Sequence, residues 1–412
     1  MLPVFPQVET SRLLSGLRIG LVQRSGSLVN VAVVIPIPRA PNGEDLGWIA
    51  AQALTDRDPT NQSLRGTLWR GCLAVGCEVN LTTDPSSITI TVETLASNQD
   101  IALKALASLF SAENLDVEAT RRAQAALLIR RASRDAAAHA NELIGRLLFE
   151  NDPQTVLKTP DIKEIESLRR SLFDTGRSTM LLVGAIKPMS IRTKIQPLFI
   201  SSSRTTTTPT ASNESSPNAA HAAVYFIDEP GRSQTLILSG QRLGQLTPEI
   251  VLKARLATSI VGNRVNTNLR TEHQWSYGAQ ARLATAFDGS ALLLLSTEVQ
   301  DDKTAAAIAE IRRELDQHTP TSTDATRLPF YRLDMSRQII SGTATVAGTN
   351  AVLAELARRG FPLTAYPVLL KEASELGENS LKAALQLIDS QHTIFLLVQD
   401  GPPESLARED SR

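Results

Sequence analysis

Hydrophobic positions along this chain fall into short alternating runs, broken by polar turns and by longer amphipathic stretches. Alternation over Leu17 to Val22 and Leu28 to Pro36 predicts two strands. An apolar helical segment follows over Gly47 to Leu54, then strands over Glu78 to Leu81 and Ile88 to Glu93. Amphipathic spacing predicts a helix over Asn98 to Phe110. The run STMLLVGAIKP, Ser178 to Pro188, closes this series with another strand signal. A second series then repeats the order. It reads strands over Val224 to Asp228 and Gln234 to Gly240, a helix over Pro248 to Val261, strands over Tyr277 to Ala284 and Ala291 to Glu298, and a helix over Lys303 to Gln317. It closes on HTIFLLVQDGP, His392 to Pro402.

Between the two series lies SSSRTTTTPTASNESSPNAAH, Ser201 to His221, with almost no apolar content. Such a composition cannot offset its ordering entropy and is expected to be a flexible linker. The chain of 412 residues is too long for one ordinary core. It divides into domains 1–200 and 222–412 about a linker 201–221. Strands and helices mix within each half, so the expected class is α+β (mixed α/β): two similar domains, each a mostly antiparallel sheet packed with helices, related by internal duplication.

Composition removes several function classes. Lys plus Arg total 42 against 43 Asp plus Glu, so no global field attracts nucleic acid or an anionic membrane. No apolar run reaches the roughly 18 residues of a spanning helix. The opening MLPVFPQVETSRLL has neither a basic region nor a long apolar core, and a cytoplasmic protein is expected. Cys72 and Cys77 form no metal-type pattern and are expected as reduced core thiols rather than a bridge. The five histidines offer no pair at metal-ligand spacing, and the chain holds no G-x-S-x-G, C-x-x-C or Gly-rich phosphate loop.

The stretch LGWIAAQALTD, Leu46 to Asp56, gives a more specific signal. With the polar loop before it, it resembles the metal-binding helix of the pitrilysin/insulinase-type zinc peptidases, whose signature is H-x-x-E-H. Aligned on Gly47, the histidine, glutamate and histidine positions of that family fall on Ala50, Ala53 and Leu54. Zinc needs imidazole or carboxylate donors and its water needs a base, and these residues supply neither. The resemblance implies one long helix over Val117 to Phe149 for the family's last ligand, a Glu, but its relevant stretch RRAQAALLIRRASR, Arg121 to Arg134, contains no Asp, Glu or His. Arg130 or Arg131 stands near its position, either on a solvated face or filling the vacated pocket. Further resemblance lies in VYFIDEPGRSQTLILSGQRLG, Val224 to Gly244, and NRVNTNLRTEHQWSYGAQ, Asn263 to Gln280, so it extends over essentially the whole chain.

That resemblance also implies a site in the second half. The segment LRTEHQWSY is similar to the family's L-R-E-x-x-G-L-A-Y and sets Arg270 and Tyr277 seven residues apart. The same alignment matches Asn263-Arg264-Val265 to the family's S-R-L. In two-chain members, zinc on one chain faces this Arg/Tyr pair of the other, where the pair meets the oxyanion formed in peptide hydrolysis. The resemblance therefore implies a noncatalytic subunit of a heterodimeric zinc peptidase that processes peptides. It would hold no cofactor of its own, pair with a homologous catalytic subunit bearing H-x-x-E-H and zinc, and supply Arg270 and Tyr277 in trans. The alternative is a purely structural scaffold subunit. Only SIVG, Ser259 to Gly262, precedes Asn263, so the glycine-rich loop of mitochondrial noncatalytic subunits has no counterpart.

Overall fold

A computed structural model of the chain describes residues 7–37, 43–84, 86–111, 113–133, 136–148, 160–199, 222–286 and 289–401. The linker expected over 201–221 lies outside the described residues. Packing divides the chain into two units: Met1–Ala132, Leu157–Thr210 and Ser336–Leu370 form one, and Ser133–Val156, Ala211–Met335 and Lys371–Arg412 form the other. The linear division into 1–200 and 222–412 is thus crossed by one segment from each half.

The first unit is built on a six-stranded sheet of β1 (Glu9–Arg12), β2 (Arg18–Gln23), β3 (Leu28–Pro36), β4 (Glu78–Asp84), β5 (Ser87–Leu95) and β6 (Thr179–Gly184), in the order β1-β2-β6-β3-β5-β4. Only β2 and β6 run parallel; the other neighbours are antiparallel. Every residue of β6, TMLLVG, is buried, as expected of a central strand covered on both faces. Edge strand β4 instead alternates in exposure, Val79 and Leu81 packing against the core while Glu78, Asn80 and Thr82 are exposed. On one face lie α1 (Gly43–Leu54), α2 (Leu64–Ala74), α3 (Gln99–Ser108), α4 (Val117–Ala132), α6 (Ile162–Leu172) and α7 (Pro188–Leu198), which share the apolar cluster of Val31, Ile49, Leu54, Trp69, Ile90 and Leu127. The other face of β3 and β6 is covered by α11 (Val346–Arg358), which comes from the far end of the sequence.

The second unit holds a five-stranded sheet of β7 (Ala223–Asp228), β8 (Thr235–Gln245), β9 (Ser276–Thr285), β10 (Ser290–Val299) and β11 (Thr393–Gln399), in the order β7-β11-β8-β10-β9. Here β7 and β11 are the parallel pair. Helix α8 (Pro248–Asn266) packs on β9 and β10, with α9 (Thr304–Asp316) and α13 (Glu378–Leu385) beside it. α5 (Ala136–Leu147) covers β8 and β11 through Ala140, Ile144 and Leu147. α10 (Ser322–Ser341) and α12 (Tyr366–Ser374) complete the element list, and a unit boundary falls inside each.

The duplication is explicit in the topology. Strands β2-β6-β3-β5-β4 and β7-β11-β8-β10-β9 follow the same order with the same parallel pair, β1 being an addition at one edge. Each sheet also has one face covered by a helix from the opposite half of the sequence. That requirement corrects the single helix expected over Val117 to Phe149: α4 ends at Ala132 and α5 begins at Ala136. The apolar face of α4 serves the first core through Ala119, Ala123 and Leu127, whereas that of α5 serves the second.

A second correction concerns the cysteines. Cys72 and Cys77 form a disulfide, with Cα atoms 5.3 Å apart. Helix α2 ends in a reversal in which Gly76 takes a φ of +82°, a left-handed conformation that glycine adopts without a Cβ clash. The Cys77 N–H donates to the Cys72 carbonyl at 3.0 Å and the Gly76 N–H to the Leu73 carbonyl at 2.9 Å, so the helix cap itself folds one thiol onto the other. Spacing alone concealed this. The purified chain is expected to take up no maleimide under native oxidising conditions or in denaturant, and to label at both cysteines after reduction. Full labelling in denaturant without reductant would show the thiols to be free.

Candidate functional site

Helix α1 approaches the sheet closely at Gly47, where an added Cβ would lie 3.1 Å from Ile88 Cδ1 and 3.2 Å from Ile37 Cδ1. The three residues at the expected ligand and base positions, Ala50, Ala53 and Leu54, are 0 %, 3 % and 0 % exposed and belong to the first unit's apolar core. Polar contacts between α1 and α4 sit instead at the two ends of α1. Arg122 pairs with Asp56 just beyond its C-terminus, at 2.6 Å. At its first turn, Arg131 pairs with Asp45 at 2.5 Å, and Arg130 stands 3.9 Å from Glu44 with its guanidinium 5.4 Å from the centre of the Trp48 ring. Carboxylates in the first turn of a helix are already favoured by its dipole, and the arginines add charge-assisted bonds. Both arginines that the sequence left open are therefore placed at the entrance of α1. Among the described residues, no group of three or more His, Cys, Asp and Glu is arranged to hold a metal ion.

The second unit carries the other sequence-predicted residues. Beyond Asn266, α8 runs on into a π-helical turn, Thr267–Glu272, in which Asn268 and Leu269 are buried and Arg270 is exposed. Asn268 anchors this turn, its Nδ2 donating to Glu310 at 2.8 Å and to Glu314 at 3.2 Å. The chain then reverses at Gln274, whose φ of +58° is the only positive value at a non-glycine residue among those described. Amide hydrogen bonds from His273 to Asn268 and from Trp275 to Leu269 hold the reversal. Tyr277, the second residue of edge strand β9, is 88 % exposed. The Asn266 side chain accepts from the Ala279 amide at 3.0 Å and ties β9 back to α8. Arg270 and Tyr277 are thus exposed side chains on a segment whose backbone is fixed at several points. Between them His273 stacks on Trp275 with ring centres 4.1 Å apart, a platform the sequence did not reveal.

Arg264, matched by its sequence pattern, is a structural residue. Its side chain is largely covered and pairs with buried Asp324, 2.5 Å away, and also donates to the carbonyls of Gln317 at 2.8 Å and Thr319 at 3.1 Å. These bonds fix the C-terminal end of α8, from which the π-helical turn departs. Burial raises the Asp324 carboxyl, but hydrogen bonds from Arg264 and from the Thr321 amide and hydroxyl outweigh it and hold its pKa below the ordinary value. Of the histidines, His392 is exposed and bonded to Asp389 at 2.8 Å, while the side chains of His139 and His221 lie outside those described.

Residues 161–321 match the family known as the peptidase M16 inactive domain. The whole fold agrees. The chain superposes on the peptidase M16 inactive domain from Pseudomonas fluorescens with a TM-score of 0.76, at 14% identity, over 97% of this chain and 99% of that one. The chain has the peptidase M16 fold. A protease from Helicobacter pylori is similar with a TM-score of 0.77, at 13% identity, over 96% of this chain and 100% of that one. The periplasmic protease PqqL from Escherichia coli aligns with a TM-score of 0.74 at 14% identity; 97% of this chain covers 48% of that chain, so this chain spans about half of PqqL. No curated protein matches by sequence.

Because the Asp324 pKa is depressed in the fold, its contribution to stability is fully present above the unfolded carboxylate value of about 4 and is lost as the pH falls through the folded value. Thermal unfolding followed from neutral to acid pH should show that loss, and Asp324→Asn should flatten it. At neutral pH the same substitution leaves the largely covered Arg264 side chain without its counter-charge and should cost about 3–5 kcal/mol. Unchanged stability in Asp324→Asn would remove the pair from its structural role.

Proposed function

We propose that this chain is a noncatalytic partner in a two-part zinc peptidase that processes peptides. In this reading it closes the chamber around substrate and supplies Arg270 and Tyr277 to the zinc site of a homologous, H-x-x-E-H-bearing half. The observation that carries the reading is a contrast within one chain. The positions that would hold zinc are apolar and packed into a core, while Arg270 and Tyr277 are exposed on a backbone anchored by Asn268, Asn266 and the Arg264–Asp324 pair. A guanidinium and a phenol carried on an anchored backbone can meet negative charge as it develops on a carbonyl oxygen. The relation to PqqL agrees with this division, since 52% of that longer chain lies beyond the part aligned with this one, 100 less the 48% covered. In the same reading the Cys72–Cys77 disulfide favours an oxidising compartment over the cytoplasm that composition suggested.

Two outcomes are expected. The purified chain alone should bind no stoichiometric zinc and cleave no peptide, as Ala50, Ala53 and Leu54 offer no ligand or base; elemental analysis finding a tightly held zinc on the isolated chain would overturn this. In a complex with its zinc-bearing partner, verified intact by size, Arg270→Ala or Tyr277→Phe should lower turnover more than substrate binding. Loss of one such donor costs about 2.7–4 kcal/mol, roughly a hundredfold to a thousandfold in rate. Arg270→Lys should recover part of it, keeping the charge but losing the planar fork. Wild-type turnover in both variants would make the pair structural and favour the scaffold function.

A further inference from the structure

The first unit contains a polar cleft of about 430 Å³ on the sheet face opposite its apolar core, between α11 and strands β3, β5 and β4. Cross-strand register arranges its floor in ranks. Asn30, Glu93 and Glu78 lie side by side, then Ala32, Thr91 and Asn80, then Thr89 and Thr82. Glu93 and Glu78 are direct neighbours on antiparallel strands, a like-charge opposition that destabilises a sheet unless something compensates it. Among the described residues neither carboxylate forms an ion pair; the Asn30 amide donates to Glu93 Oε2 at 3.0 Å. At the opposite end, Arg358 is already engaged by Asp84 at 3.2 Å and by Glu355, so its charge is matched there.

Two further groups lining the cleft lack partners. Asn350 on α11 is 1 % exposed; its Nδ2 donates to the Asn30 carbonyl at 2.9 Å and to Asn30 Oδ1 at 2.6 Å, yet its own Oδ1 accepts no hydrogen bond. Thr89, 6 % exposed, has an Oγ1 that neither donates nor accepts. A buried polar atom without a partner is unfavourable, and the two residues that carry such atoms both line this cleft. The unmet demand is specific: two carboxylates and an amide oxygen all require donors, and the carboxylates also require positive charge. Ala32, Ala347, Ala351 and Ala354 give the cleft apolar walls beside these acceptors. Two carboxylates alone do not make a closed metal shell, and no metal-type group is found among the described residues.

We propose that this cleft binds an alkyl-guanidinium or alkyl-ammonium cation, its charged head between Glu78 and Glu93 and its alkyl stem along the alanines of α11. The head supplies the donors that Asn350 Oδ1 and the carboxylates lack, and it relieves the cross-strand repulsion. The proposal is independent of the function assigned to Arg270 and Tyr277. Agmatine, a free cation, and the capped peptide acetyl-Ala-Arg-Ala-amide present the same head from two sources, and neutral pentylurea serves as the uncharged control.

Calorimetry on the full chain should give saturable binding of agmatine or the peptide, weakened at least about tenfold by Glu93→Gln or by cleft-filling Ala351→Leu, with pentylurea weaker by a similar factor. Tighter agmatine binding assigns the site to a free small molecule, and tighter peptide binding to a polypeptide side chain; either supports the cation site. The melting temperature of unliganded Glu93→Gln should be unchanged or raised, because removing a like charge relieves strain, which separates lost binding from lost folding. Glu78→Gln on edge strand β4 is the second variant should Ala351→Leu not fold. No saturable binding of either cation at millimolar concentration, wild-type affinity in both Gln variants, or equal binding of pentylurea would overturn the proposal.

Discussion

Both sheets depend on one constraint: a central strand that is apolar on both faces must be covered on both faces. β6 and β11 meet that condition, with every residue buried. Helices near each strand in sequence cover one face, while α11 and α5, each from the opposite half of the sequence, cover the other. The first unit, for instance, holds its six-stranded sheet between the α1, α3 and α4 cluster and α11. Without α11, Leu181 and Val183 would face water, and burial of such side chains contributes roughly 1.5–3 kcal/mol each. Exchange of helices between halves is thus a condition for either sheet to be stable.

The same fold positions the candidate chemistry differently in its two repeats. α1 and α8 occupy equivalent places after the second strand of each repeat. In α1 the inward positions are Ala50, Ala53 and Leu54, and the helix pair α1–α4 closes into apolar core with arginine–carboxylate bonds at its ends. In α8 the helix overruns into a π-helical turn that leaves Arg270 exposed, and the following strand begins with Tyr277. π-Helical turns inside or at the ends of helices occur often at functional sites, because the extra residue re-aims the side chains around it. One copy of the plan has been packed shut while the other keeps its polar groups facing outward.

Polar groups in the first unit follow a related logic. β3, β5 and β4 alternate strictly, so the residues that fill the core on one face dictate which residues face the cleft on the other. Ile88, Ile90 and Val92 are in the core, and Thr89, Thr91 and Glu93 necessarily point away from it. The opposition of Glu93 and Glu78 follows from register and is held by the backbone ladder, which is strong enough to keep like charges adjacent.

Much of this was legible in the sequence, since it depends on local periodicity. Among the described residues, the sequence runs located ten of the eleven strands, missing only the short β1, and the repeat of their order anticipated the duplicated topology. The family resemblance, rather than residue identity alone, assigned Ala50, Ala53 and Leu54 to the expected metal positions and paired Arg270 with Tyr277. Long-range packing was not legible, because nothing in the composition of Val117 to Phe149 says that its two ends serve different cores. The Cys72–Cys77 bridge depended on a three-dimensional reversal at Gly76, and the partners of Arg130, Arg131 and Arg264 on which carboxylates tertiary structure brought near. Sequence fixes the period of each element and the chemistry each residue can perform; only the folded chain decides which faces meet, because contacts between distant segments are selected by the burial they jointly achieve.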